Sequence, residues 1–255
     1  MIKSLKVYLE NFSDISYREW YFCHMKRLEA FRGKHKGERC FIVGNGPSLN
    51  EMELTLLADK NTFGLNKIYL LLDKIDLNVS YHVSVNSLII EQSHKDFEQI
   101  SCPSFLSYPV SRGIVENLDK FYYIYPRGPY TFQPDITQNI HEGYTVTFVA
   151  LQIAFFMGFE EVYLIGVDHN FVVSGNPNEK QRLEGEDPNH FDPNYFSGKD
   201  WHLPDLEASE LSYHLANFFY KRAGRQIFDA TVDGKLTVFP KISFADALLR
   251  SKTKR

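Results

Sequence analysis

The period of the apolar positions changes several times along this chain, and each change predicts an element. In residues 1–32 they recur at helical spacing through Tyr17, Trp20, Tyr21, Met25, Leu28 and Phe31, which predicts a helical extension at the N-terminus. Gly33 to Arg39 is charged and reads as a solvated connector, so residues 1–37 are assigned as extension and linker. From residue 38 onward short β-like runs alternate with helical patterns: Phe41 to Val43, Thr62 to Leu65, Tyr81 to Val85, Phe105 to Tyr108 and Phe121 to Tyr125. That alternation predicts an α/β domain over residues 38–250, with a mainly parallel sheet flanked by helices.

The clearest unit is T-V-T-F-V-A-L-Q-I-A-F-F-M-G-F-E-E-V-Y-L-I-G-V-D, residues 145–168. Thr145 or Thr147 suits the cap of a buried helix ending at Gly158, and Val162 to Val167 reads as a core strand that delivers Asp168 to its carboxyl end. Open α/β sheets bind ligands at such ends. Residues 169–203 are crowded with Asn, Asp, Pro, Gly and aromatics and predict a long polar lid. A helix from about Pro204 to Arg222, a strand over Gln226 to Ala230 and a closing helix complete the reading.

Composition narrows the class. A chain of 255 residues can bury a core without staples, and three cysteines without metal-ligand spacing are expected to be packing residues in a reducing compartment. The net charge of −4 argues against a nucleic-acid partner. No run reaches the ~18 consecutive apolar residues of a membrane span, and no signal peptide is evident, so a cytoplasmic protein is expected, with peripheral membrane contact and oligomerisation left open.

The residues with most chemical content are C-F-I-V-G-N-G-P-S-L, Cys40 to Leu49. A strand breaks there into Gly44, Asn45 and Gly46, where glycine permits positive φ or close backbone approach. Pro47 then suits a first helical turn and Ser48 offers a hydroxyl. A strand–loop–helix corner of this kind is a natural anion site, and a tight βα turn explains it too. Asn66 and Asn86 end two further strands, where an amide either reads a ligand or caps the next helix. Asp168 is the candidate carboxylate, for Mg²⁺ or for sugar hydroxyls, or as a cap. His190, in D-P-N-H-F-D-P-N-Y-F, is the candidate general base, with Asp187 and Asp192 beside it; His202 is a weaker one. Asp168, His169 and His190 match no zinc spacing. No G-x-S-x-G elbow, Walker A or G-x-G-x-x-G pattern occurs.

In order and spacing, I-V-G-N-G-P-S-L, L-N-K-I-Y, V-S-V-N-S, G-F-E-E-V-Y-L-I-G-V-D and N-H-F resemble the bacterial CMP-sialic-acid sialyltransferases. At least as closely they resemble the wider family named for 6-hydroxymethylpterin diphosphokinase, the MptE-like domain. The resemblance spans roughly Glu38 to Phe244 and implies a Rossmann-like fold. It implies that Asn45, Gly46 and Ser48 line the nucleotide phosphate and sugar, and that Asn66 and Asn86 contact nucleotide or donor. Thr145 and Thr147 would lie at the helix start against the nucleotide, and His190 would be the general base. The chain departs from the sialyltransferases after the G-x-D strand end: their phosphate-assisting tyrosines are replaced by Asn170 and Asn176, with Tyr195 a candidate substitute from the lid.

Three functions fit these residues. The first is a transferase that moves an acidic sugar from a CMP-sugar co-substrate to a surface-glycan or small-molecule acceptor, without a tightly bound cofactor. The second is a diphosphokinase acting on a pterin-like alcohol, in which Asp168 and Asp187 would hold Mg²⁺. The third is a nucleotide-binding protein without catalysis.

Overall fold

The computed structural model describes residues 13–116, 118–128 and 130–251. Seven strands form one parallel sheet in the order β5-β4-β3-β2-β1-β6-β9. They are β1 (Arg39–Val43), β2 (Asn61–Leu65), β3 (Tyr81–Ser84), β4 (Ser104–Ser107), β5 (Phe121–Ile124), β6 (Glu161–Ile165) and β9 (Gln226–Asp229). The strands lie where the apolar runs predict them, because a parallel strand is covered on both faces and reads as a continuous hydrophobic run. Phe41, Ile42 and Val43 are accordingly inaccessible, as are Val162 to Ile165.

The chain begins in the middle of the sheet, walks outward from β1 to β5, then returns to lay β6 and β9 on the other side of β1. Val43 is therefore flanked by Gly64 and Ile165. Strand order reverses between β1 and β6, and in open α/β sheets that reversal opens a crevice for ligands.

Residues 15–31 pack into the same core as the sheet. Helix α1 (Ile15–Trp20) is capped by Asp14 and continues as a π-helical turn over Tyr21–Met25, a turn over Lys26–Leu28 and a 3-10 turn over Glu29–Phe31. Trp20 is fully buried and its indole N–H donates to the Tyr123 carbonyl at 2.7 Å, while Arg27 donates to the Phe121 carbonyl at 3.1 Å. Both acceptors belong to β5, the edge strand, so the segment satisfies carbonyls that a bare edge would present to other chains. The charged connector is packed rather than solvated: the Gly33 and His35 amides donate to the Phe156 and Met157 carbonyls, and the His35 ring stacks on Phe159 at 4.5 Å. Its lysines are exposed while its backbone closes the carboxyl end of the helix that finishes at Met157.

Helices α2 (Ser87–Phe97), α3 (Val146–Met157), α4 (Leu206–Arg222) and α5 (Phe244–Ser251) flank the sheet. Helix α3 carries no charge and is buried almost all round. Thr145, not Thr147, is its cap, and Gly158 ends it in the left-handed region at φ 95°. Helix α4 is capped by Asp205 through the Ala208 amide, one residue beyond the expected start.

Two expectations are corrected. Cys40 and Cys102 are packing residues, but Cys23, within the π-helical turn, is exposed. Residues 169–203 are not a solvated polar loop. They contain an antiparallel pair, β7 (Lys180–Arg182) and β8 (Asp200–His202), and bury Phe191, Tyr195, Phe196, Trp201 and Leu203. The aromatics scattered among the Asn and Pro residues give the lid an interior of its own.

Truncating Trp20 to alanine removes a fully buried ring and leaves the Tyr123 carbonyl without its donor. We expect a stability loss of about 3–5 kcal/mol in urea denaturation; an unchanged midpoint would show that the N-terminal segment does not belong to the cooperative core.

Candidate functional site

A cavity of about 830 Å³ lies over the carboxyl ends of the strands, at the reversal between β1 and β6. Its walls include Gly44, Asn45, Gly46, Asn66, Asn86, Thr145, Thr147, Asp168, Asn170 and His190, so the structure brings together ten of the residues singled out from the sequence. Pro47 and Ser48 stand behind this wall.

The glycine corner is built for close approach. Neither Gly44 nor Gly46 adopts positive φ. A Cβ on Gly44 would overlap the Gly166 carbonyl, and one on Gly46 would overlap the Asp168 carboxylate. The Gly44 amide donates to the Ile165 carbonyl at 2.8 Å and the Gly46 amide to the Gly166 carbonyl at 2.9 Å, which sews the two strand ends together. The corner leads into a 3-10 turn, Pro47–Glu51, not an α-helix. The Ser48 amide and hydroxyl donate to Asp168 at 3.1 and 2.8 Å, so the donors expected to face a phosphate are already engaged by a carboxylate of the chain. Asp168 thus binds back across the crevice and does not cap the segment after it. Burial raises its pKa, against the lowering effect of Ser48.

The asparagines divide. Asn86 caps α2, its side chain accepting from the Ile89 amide at 3.2 Å, and lines the cavity as well. Asn66 is not a cap: it sits at φ 50°, its carbonyl accepts from His82 and its side-chain oxygen accepts from Ser84. Asn45 is pinned through its carbonyl, which accepts the Phe191 amide at 2.9 Å, while its side-chain oxygen is buried on the wall with no partner among the described residues. Ser107, at the end of β4, likewise holds a buried, unpartnered hydroxyl on the wall. A ligand donor reaching either oxygen would satisfy it. Asn170 is exposed on the wall beside them.

His190 is constrained on several sides. Its Nδ1 lies 2.8 Å from Asp187, a carboxylate only 1% exposed. A carboxylate only accepts, so Nδ1 carries the proton and Nε2 is left as the acceptor. The ring lies flat on Tyr195, with centroids 4.0 Å apart and planes 6° apart, and meets Phe196 and Trp201 edge-on. Asp192, the other flanking carboxylate, points away and pairs with Lys74 at 2.6 Å. Tyr195 is the platform under His190, its hydroxyl accepting the Lys67 amide, and burial pushes its pKa up.

Several residues of and around the cavity carry no local sequence signal. Lys67 lies beneath the lid, outside the cavity lining, and is completely buried: its ammonium donates to the Tyr195 carbonyl at 2.8 Å and to Gln92 at 3.1 Å, and sits 4.4 Å from the Phe196 ring centre. It fastens the lid to the turn after β2. Arg127, His141, Glu142 and Tyr144 line the side of the cavity beyond β4 and β5. Glu142 is exposed by accessible surface, yet the protein around its carboxyl desolvates the charged form and shifts its pKa upward, with Arg127 acting the other way. His169 meets Glu210 of α4 at 2.9 Å. The dipeptide P-R just after β5 was the one cue to Arg127.

Among the described residues no three His, Cys, Asp or Glu side chains converge as a metal-binding set, and no helix is long and apolar enough to cross a membrane. The family model described as 6-hydroxymethylpterin diphosphokinase MptE-like matches residues 17–174, more than half of the chain. The chain belongs to the MptE-like family. No curated protein matches it. Among solved structures it is similar to the MAf glycosyltransferase from Magnetospirillum magneticum AMB-1, with 16% identity and a TM-score of 0.51, over 91% of this chain and 39% of that one. That likeness establishes the shared α/β fold. This MptE-like chain spans well under half the length of that neighbour. The family match starts within α1, so it takes in part of the N-terminal segment as well as the sheet up to the residues just after β6.

Burial pushes the Lys67 ammonium down to about 7, whereas the unfolded chain keeps it near 10.4, by the usual order of magnitude. Between those values the unfolded chain binds a proton that the folded chain does not, so stability rises with pH through this window. Lys67→Met should flatten that rise in denaturation midpoints taken from about pH 7 to 10; an identical slope in the variant would show that Lys67 is charged throughout.

Proposed function

We propose that this MptE-like protein is a nucleotide-dependent glycosyltransferase that moves an acidic sugar from a CMP-sugar to a hydroxyl of a surface-glycan or small-molecule acceptor. The observation that carries the reading is the Asp187–His190 pair: the ring is held flat on Tyr195 in the wall of a cavity at the strand ends, with Nδ1 engaged by Asp187. In this mechanism Nε2 takes the acceptor hydroxyl proton as the oxygen attacks the anomeric carbon. Asp187 stabilises the imidazolium that forms, and the bond from that carbon to the phosphate oxygen breaks with its electron pair leaving on CMP. Orientation contributes alongside the proton transfer, because Tyr195 and Phe196 leave the ring one position. The buried oxygens of Asn45 and Ser107 supply uncharged acceptors for ribose, base or sugar donors.

The family's description makes a diphosphokinase the second reading. The two carboxylates it would assign to Mg²⁺ are both engaged: Asp168 by Ser48 and Asp187 by His190. They fit the metal poorly, and the CMP-sugar reading is preferred for that reason.

His190→Ala is expected to lower turnover by about 10²–10⁴-fold while CMP affinity stays within a factor of about two. Thermal-shift measurement with CMP, CTP, ATP and ADP, each with and without Mg²⁺, separates the readings. Stabilisation by CMP without metal is expected, and stabilisation by ATP only with Mg²⁺ would sink the glycosyltransferase proposal. Binding of CMP with unchanged turnover in His190→Ala would remove the assigned base.

A further inference from the structure

Of the two polar side chains at the end of β6, only Asp168 turns back to the glycine corner; His169 reaches Glu210 and lines the cavity. We infer that His169, oriented by Glu210 and set beside the start of α3, holds the phosphate of the nucleotide and stabilises it as the donor bond breaks. The inference rests on the nucleotide-transferase reading above.

Asp168 and His169 leave the end of β6 in opposite directions. The Asp168 carboxylate returns to Ser48, while the His169 ring reaches Glu210 at 2.9 Å on α4. To do this His169 adopts φ 52°, a left-handed conformation that non-glycine residues rarely take and that costs roughly 1 kcal/mol or more. Its side chain is 8% exposed and lines the cavity. Glu210 accepts the proton on Nε2, so the two form a second histidine–carboxylate dyad, of which the His169 ring is on the cavity wall and Glu210 belongs to α4. Nδ1 makes no hydrogen bond among the described residues.

The surroundings suit an anion. Tyr213 lies against the His169 ring, with centroids 6.1 Å apart, and its hydroxyl is 3.3 Å from that of Thr145, the cap of α3. Helix α3 is twelve residues long and uncharged, so nothing on it offsets the partial positive charge at its first turn. In the protonated ring Nδ1–H would donate to a phosphate oxygen, and the Glu210 carboxylate would balance the ring's charge. When the anomeric carbon leaves, the electron pair stays on the phosphate oxygen, and the dyad and the α3 terminus face the charge that accumulates there. The proton taken from the acceptor goes to His190, so the two dyads serve different ends of the same displacement.

The test is calorimetric titration of the full-length protein with cytidine and with CMP. Their affinity ratio isolates the phosphate. His169→Gln should lower that ratio about tenfold, a size expected for one charged hydrogen bond, with cytidine affinity unchanged. Glu210→Gln should lower it by a smaller factor. Should His169→Gln fail to fold, His169→Asn and Glu210→Gln carry the same comparison. An unchanged ratio in the folded variants would overturn the assignment of His169. Failure of the wild-type protein to bind either ligand would instead overturn the nucleotide reading on which the assignment depends.

Discussion

The contact between the ends of β1 and β6 is the constraint on which the rest of the site depends. Two amide–carbonyl bonds and the Asp168 carboxylate join them, and no side chain at Gly44 or Gly46 could be tolerated between them. Closing the crevice at its root moves the ligand space outward, above the strand ends. It also fixes the Asn45 carbonyl, to which Phe191 of the lid is bonded, and sends His169 toward α4. A half-buried carboxylate is tolerated in that position because both its oxygens meet Ser48 donors, which offset the loss of water around its charge.

The lid is held by polar bonds to three separate elements beneath it: Phe191 to the glycine corner, Lys67 to Tyr195, and Gln92 of α2 to the Asp200 carbonyl at 2.7 Å. Between these ties its aromatics stack, so His190 inherits its orientation from packing as well as from Asp187. A lysine without a carboxylate partner is a costly fastening, since desolvation of the ammonium opposes it. Its two acceptors and the Phe196 ring offset part of that cost.

Much of the fold was legible because its signals are local. Parallel strands read as apolar runs, Thr145 and Gly158 bracket α3, and Asn86 caps α2 as one of its two readings allowed. The candidate site was legible in membership more than in geometry. Gly44 and Gly46 mattered for closeness and not for positive φ, and Ser48 was paired with a residue 120 positions away. Lys67 could not be found from its neighbours, because its burial is created by Tyr195, 128 residues later. Arg127 and Glu142 lie in a stretch without periodicity, where only the folded path shows that they share a wall with Asn45.

The chain's two tryptophans fall at opposite ends of this architecture. Trp20 is sealed against the edge strand with its indole N–H bonded, whereas Trp201 lies on β8, with its ring 6.1 Å from that of His190. Intrinsic emission from this protein therefore has one source buried in the scaffold and one beside the proposed base. With Trp20 replaced by phenylalanine, the remaining indole would be an optical reporter of the lid itself, needing no label and placed where an arriving ligand must alter its surroundings.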